Sequence, residues 1–214
     1  VKVEHHLLHR DDGAPIPFIA SPNHARELVA PAVIVLHYTA GRSFEQSCKW
    51  LCDPAAKASA HIVIGRGGSI AQLVPFDQRA WHAGESSLVL GGARGYAHVP
   101  MHGLNQFSIG IELDNAGLLH RTAVGWVTAW GAKVGGDDVV IAEHKHGGGV
   151  RGWHAYTSDQ IEACEEVCRA LMAAYPSIVE VVGHDDIAPK RKLDPGPALN
   201  LESFRSRLFG RNDE

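Results

Sequence analysis

Residues 178–196 read IVEVVGHDDIAPKRKLDPG. The first five are mostly apolar and branched, the pattern of a short buried strand. His184 follows after Gly183, Lys192 comes eight residues later, and Asp194 closes the stretch before Pro195. Pro189 and Pro195 stiffen the path and a glycine lets it turn. A histidine at a strand end, with a rigid loop bringing in an oxygen ligand, is how a protein holds a metal with one side left open. Such a site needs a third ligand. Ala32 to Tyr38, AVIVLHY, is a second continuous apolar run that ends on a histidine, His37. If the two strands are neighbours, their terminal histidines meet.

Working outward, the chain reads as one α/β domain with a mixed sheet, because strands interleave with helices. Ser43 to Gln46 resembles a capping box and opens a helix to about Cys52, which Asp53-Pro54 stops. Ala60–Gly65 and Ser69–Val74 flank Arg66-Gly67-Gly68, a hairpin signal. Arg79–Gly84 (RAWHAG) and the Gly-rich span 86–103 read as loops. Phe107–Leu113, FSIGIEL, is a buried strand carrying Glu112, a charge that is costly there unless it is paired or faces a polar cavity. Trp126–Lys133 reads as a short helix or turn, Val139–Ala142 as a strand, and His144–Gly152 as a flexible loop. Thr157–Tyr175 is the clearest helix, with its apolar stripe on Ile161, Cys164, Val167, Cys168, Leu171 and Tyr175. A C-terminal helix is expected over Asn200–Phe209. Residues 1–30 read as an irregular arm packed on a domain of residues 31–214.

With 214 residues, 45% of them hydrophobic and 21% charged, the chain is long enough for a substantial core. A net charge of -4 argues against a nucleic-acid binder. No apolar run is long enough to span a membrane. The start, VKVEHHLLHRDDG, lacks the apolar core of a signal peptide, which leaves localisation between the cytoplasm and a phage or secreted lysin. Fourteen histidines direct attention to metal or acid–base chemistry. The pairs Cys48/Cys52 and Cys164/Cys168 have helical spacing and read as small apolar core residues.

His37, His184 and Asp194 are the candidate ligands of a catalytic zinc. Zinc in such a site lowers the pKa of a bound water to about 7 and polarises a carbonyl. The reaction still needs a base and a positive group for the developing oxyanion. Glu112 suits the first role and Lys192 the second. The plain alternatives are an internal salt bridge for Glu112 and a solvated loop charge for Lys192.

Five blocks in order, VLHYTA (35–40), SAHIVIGRGGSIAQLV (59–74), AWHAGESS (80–87), GLNQFSIGIELDN (103–115) and GHDDIAPKRKLDPG (183–196), carry a family resemblance. The chain resembles the type 2 N-acetylmuramoyl-L-alanine amidases, zinc enzymes related to peptidoglycan recognition proteins and phage lysozyme-amidases. The resemblance implies a central mixed sheet with helices on both faces. It places the metal ligands on His37, His184 and Asp194, and the catalytic pair on Glu112 and Lys192. The implied reaction cleaves the amide between the lactyl group of muramic or anhydromuramic acid and the L-alanine of the stem peptide. Peptidoglycan or a muropeptide is then the substrate, with the protein acting as a monomer. Trp81, His82 and Asn105 match positions near the substrate groove, and Arg191 is a candidate partner for a stem-peptide carboxylate. Trp153 and Tyr156 either line the groove or pack. His61 reads as core or as a support to the site, and His144 and His146 as residues of a mobile loop. Asp185 or Asp186 is placed to orient His184. The span 88–102 departs from the family pattern and is a candidate for the glycan side of the groove. The competing function is a non-catalytic peptidoglycan-binding module, which would lack the full ligand set. Within the enzyme reading, recycling of anhydromuramoyl peptides competes with cleavage of intact wall. An unrelated zinc peptidase is disfavoured because no H-E-x-x-H occurs.

Overall fold

The computed structural model describes residues 1–25, 31–90 and 99–210. The central sheet has five strands: β1 (Val33–Tyr38), β2 (Ile62–Ile64), β3 (Ile70–Gln72), β4 (Ser108–Leu113) and β5 (Glu180–Gly183). The helices are α1 (Phe44–Leu51), α2 (Ser158–Ala174), α3 (His184–Ile187) and α4 (Leu201–Phe209). Strand order is β5-β1-β4-β2-β3. The first four are parallel and β3 runs antiparallel beside β2, so the sheet is mixed as expected.

Alternation along the strands gives the sheet two different faces. On one, Ile34, Leu36, Ile62, Ile64, Ile109, Ile111, Leu113 and Val181 meet Cys164, Val167, Cys168 and Leu171 of α2 and Phe204 and Leu208 of α4. Leu8 and Ile16 from the N-terminal segment join the same cluster. Burial of each large aliphatic side chain there contributes about 1.5–3 kcal/mol. On the other face, Cys48 and Leu51 of α1 cover Val63 and Ala71. Val33, Val35 and Val182 pack against Ala83, Leu104 and Ile187. Helices therefore cover both faces. Caps define the helix starts: Ser43 Oγ accepts from Gln46 N at 3.3 Å, and Thr157 Oγ1 from Gln160 N at 3.2 Å. Gln160 is buried, and its Nε2 donates to the carbonyls of Ile64 and Asp114 at 2.9 and 3.1 Å, closing the ends of β2 and β4.

Several local expectations need correction. The span Trp126–Lys133 is neither helix nor simple turn. Gly125–Val127 and Lys133–Val134 are strands of a second, antiparallel five-stranded sheet with Leu118–Thr122, Val139–Glu143 and Val150–His154. Trp126 lies over Gly152, where an added Cβ would come within 2.6 Å of its ring, so Gly152 belongs to a strand interior and not to a flexible loop. The span 86–103 was expected to be loop. Ser87–Leu90 pairs antiparallel with Val99–His102 instead, and residues 91–98 of the proposed glycan-side segment lie outside the described residues. The arm is not wholly irregular: Lys2–Glu4 pairs with Leu7–His9 across His5 and His6, both at positive φ. That turn geometry usually announces itself through Asn-Gly or Asp-Gly, which this sequence lacks. The four cysteines are free, and Cys48, Cys164 and Cys168 are buried among apolar side chains. Among the described residues no helix is long and apolar enough to cross a membrane.

Candidate metal centre

The parallel strands β1, β4 and β5 end side by side. Glu112 is the register partner of His37, and Gly183 pairs with Leu36, so His184 starts α3 level with His37. Asp194 is brought back to this point by a loop whose carbonyl at 194 accepts from Asp185 N at 2.8 Å. The distances His37 Nδ1 to His184 Nδ1, His37 Nδ1 to Asp194 Oδ2, and His184 Nδ1 to Asp194 Oδ2 are each 2.9 Å. All three residues are buried. They are the one group of three metal-type side chains that converges among the described residues.

The outward nitrogens decide what converges. Burial pushes the His37 imidazole down to about 4 and that of His82 well below its ordinary value, so both rings are neutral near pH 7. Each carries one N–H and one lone pair. His184 Nε2 lies 3.1 Å from the carbonyl oxygen of Ala83, an acceptor only, so in the neutral ring Nδ1 holds the lone pair. His37 Nε2 lies 3.0 Å from His82 Nδ1. The far nitrogen of His82 lies 3.2 Å from Ser108 Oγ, and that hydroxyl donates to the Leu104 carbonyl at 2.6 Å. With its proton so directed, Ser108 Oγ accepts from His82 Nε2–H. His82 Nδ1 then accepts from His37 Nε2–H, and His37 Nδ1 is left with a lone pair. Asp194 is the anion of the group: burial opposes its charge, but the two imidazoles outweigh it and hold the carboxyl below the usual range. Three lone pairs aimed at one point are the environment of a cation, and the two-nitrogen, one-oxygen donor set fits a metal with an open position.

The open side is a cavity of about 430 Å³, lined by the three donors and by Trp81, Glu112 and Lys192 among others. Burial, and then the charge of Asp194, raise the Glu112 carboxyl to about 8 against the opposing effect of Lys192. Glu112 Oε2 is buried with no hydrogen-bond partner. Neither Glu112 nor Lys192 forms an ion pair among the described residues, so an internal salt bridge does not describe Glu112, and Lys192 reaches the same cavity half-exposed.

Trp81 is exposed and borders the cavity. His82 and Arg191 also line the cavity, and they, like Asn105, have internal partners. His82 is buried beside His37. Asn105 Oδ1 accepts from the backbone N–H of His82 at 3.1 Å and of Ala83 at 2.7 Å. Arg191 Nη2 donates to the carbonyls of Ala83 and Glu85. Neither Asp185 nor Asp186 orients the His184 ring, contrary to expectation. Asp185 pairs with His144 at 2.9 Å and Lys145 at 2.8 Å, while Asp186 accepts from Gly183 N at 2.8 Å. Those carboxylates point away from the metal side, and Ala83 takes the ring proton instead. His144 is buried and bonded to Asp185, and His146 Nε2 meets the Asp185 carbonyl at 2.8 Å. His61 is core: it accepts from Gly110 N and faces Gln78 O, both at 3.0 Å. Trp153 packs on Gly196, and Tyr156 donates to the Pro195 carbonyl at 2.8 Å, so both brace the Asp194 loop from behind. Ser108, Gly110 and Ala83 escaped sequence reading. A signal existed for two of them: alternation in SIGIEL places Ser108 and Gly110 on the face that carries Glu112.

Residues 27–197 match the family model for N-acetylmuramoyl-L-alanine amidases. The 1,6-anhydro-N-acetylmuramyl-L-alanine amidase AmpD of Salmonella typhimurium strain SL1344 is 35% identical over 151 residues, which are 70% of this chain and 57% of that protein. The N-acetylmuramoyl-L-alanine amidase AmiD of Escherichia coli K12 is 33% identical over 186 residues, 83% of this chain and 53% of that one. The chain thus spans little more than half the length of these relatives. An AmpD crystal structure superposes with a TM-score of 0.60 at 27% identity, covering 96% of this chain and 98% of the other. Escherichia coli AmiD, solved with the substrate anhydro-N-acetylmuramic acid-L-Ala-D-γ-Glu-L-Lys, superposes at 0.58 and 27% identity, covering 95% and 66%. Sheet, metal-type cluster and family match run through the same residues, and the chain belongs to the N-acetylmuramoyl-L-alanine amidase family.

Proposed function

We propose that the protein is a zinc-dependent amidase that hydrolyses the bond between the muramic or anhydromuramic lactyl group and the L-alanine of a stem peptide. The observation that carries this reading is the convergence of His37, His184 and Asp194 beside Glu112, whose Oε2 is buried without a hydrogen-bond partner, and beside Lys192, on the wall of one cavity. Zinc held by the three donors would polarise the scissile carbonyl and make a water nucleophilic near neutral pH. Glu112, on the cavity wall beside the three donors, takes a proton from the attacking water as its carboxylate and delivers it to the leaving amine. Lys192 donates to the carbonyl oxygen as negative charge grows there. Trp81 offers a flat apolar wall to the substrate. Residues 31–214 act as the amidase domain, and the arm of residues 1–30 supports it through Leu8 and Ile16. The names of the AmpD relatives favour soluble anhydromuramoyl peptides over intact wall.

The test gives purified protein, with and without chelator, intact sacculi and a soluble anhydromuramoyl tripeptide in parallel. Chelator-sensitive release of free peptide, faster from the soluble substrate, is expected. Release from neither substrate by zinc-loaded protein overturns the enzyme reading, and faster release from sacculi overturns the substrate preference.

A further inference from the structure

The loop at 82–83 meets both histidines of the metal cluster from behind. Ala83 presents its carbonyl to His184 Nε2 at 3.1 Å, and His82 presents Nδ1 to His37 Nε2 at 3.0 Å. Asn105 fixes this loop by accepting both of its backbone N–H groups. Two features show that the position of the His82 ring is built. Its seat is the bare backbone of Gly110, where a Cβ would come within 2.4 Å of His82 Cγ. Its far nitrogen is met by Ser108 Oγ, itself fixed by the Leu104 carbonyl.

We propose that His82 is a positioning residue for the metal, acting with Ser108 to hold His37 in the tautomer that turns its Nδ1 lone pair toward His184 and Asp194. This rests on the reading of those three residues as a metal centre, but not on the reaction carried out there. A ligand whose outward N–H is anchored is fixed in orientation and made a better donor, and removing such an anchor typically costs 10–100-fold in metal affinity. The chain from Leu104 O through Ser108 and His82 to His37 has one consistent set of proton positions, and its last member is the lone pair a metal requires.

The experiment measures zinc affinity by competition with a chromophoric chelator for wild type, His82→Phe, His82→Asn and Ser108→Ala, each checked for folding by circular dichroism. His82→Phe keeps a ring in the space but offers no acceptor, and should weaken zinc binding by about 10–100-fold. His82→Asn places an amide oxygen near the position of Nδ1 and should recover most of that loss. Ser108→Ala should lose a few-fold at most, since it frees only the far end of the chain. Two-bond proton–nitrogen NMR of wild-type zinc-loaded protein should find His82 and His37 both protonated on Nε2. Wild-type zinc affinity in folded His82→Phe, with a raised KM instead, would assign His82 to substrate binding and overturn the proposal. So would His82 protonated on Nδ1, a result that needs no variant to fold. Failure of wild-type protein to bind zinc at all would bring down the metal reading itself, whereas zinc binding without amidase activity would leave this proposal intact.

Discussion

The two faces of the central sheet are built from the same strands and do opposite things. Along β4, Ile109, Ile111 and Leu113 point into a dry core, while Ser108, Gly110 and Glu112 alternate with them toward the metal cluster. Along β1, Ile34 and Leu36 face α2 while His37 closes the other side. The apolar face is covered by the long helix α2 and by α4. The other face carries α1 and α3 on smaller apolar clusters, and between them the 81–84 loop and the Asp194 loop supply single polar atoms to the metal cluster. The difference separates two jobs. One face supplies the larger share of the apolar burial. The other, backed by it, can carry buried imidazoles and a carboxyl oxygen without a hydrogen-bond partner that would otherwise destabilise the sheet.

The strongest way to break this contrast is to remove a metal donor. Asp194→Ala should abolish detectable zinc binding and peptide release together, read by metal analysis and product chromatography. Asp194→Ala protein that still holds one zinc would refute the ligand assignment. Removing the proposed oxyanion donor separates binding from chemistry: Lys192→Ala should keep its zinc and lose about 10²–10³-fold in kcat. A rise in KM alone would instead make Lys192 a substrate anchor.

A matched pair across one strand sharpens the contrast. Ile111→Ala, on the apolar face, should cost about 2–5 kcal/mol of stability with zinc affinity unchanged in the folded fraction. Gly110→Ala, one residue away, must expel the His82 ring and should weaken zinc binding more than it lowers the unfolding midpoint. If both variants moved both quantities alike, the faces would not be independent.

A pH effect is the smallest. In metal-free protein Glu112 is raised from an ordinary value of 4.5 to about 8, chiefly by burial. Folding therefore takes up a proton between those values, and the wild type loses stability as pH rises through that window. Glu112→Gln has no such loss. Its melting temperature relative to wild type should climb by a few degrees, in order of magnitude, from about pH 5 to about pH 8. A constant difference would mean that Glu112 is not held protonated by its surroundings.

Much of this was legible in the sequence. Continuous branched runs ending on His37 and before His184 announced parallel strands, and parallel strands bring their C-terminal ends together. The fixed spacing from His184 through Lys192 to Asp194 carried the rest of the cluster. Less legible were positions defined by contact with a distant segment. His82 lies 45 residues from His37 in sequence, and its partner nitrogen could not be guessed. The bonds of Asn105 and Arg191 to the 82–85 segment were equally hidden, because their partners are backbone donors and acceptors that leave no mark on side-chain pattern. The second sheet was missed for a related reason. Its strands are short and exposed, and Trp126 over Gly152 is a cross-strand contact that local periodicity does not report.

The central claim is that a metal and Glu112 act together on the open side of this cluster. It is tested most directly by measuring, on the same samples, zinc content and release of peptide from an anhydromuramoyl tripeptide by wild type and Glu112→Ala. The account predicts equal zinc in the two, and turnover reduced by about 10²–10⁴-fold in the variant. Near wild-type turnover by zinc-loaded Glu112→Ala would contradict it.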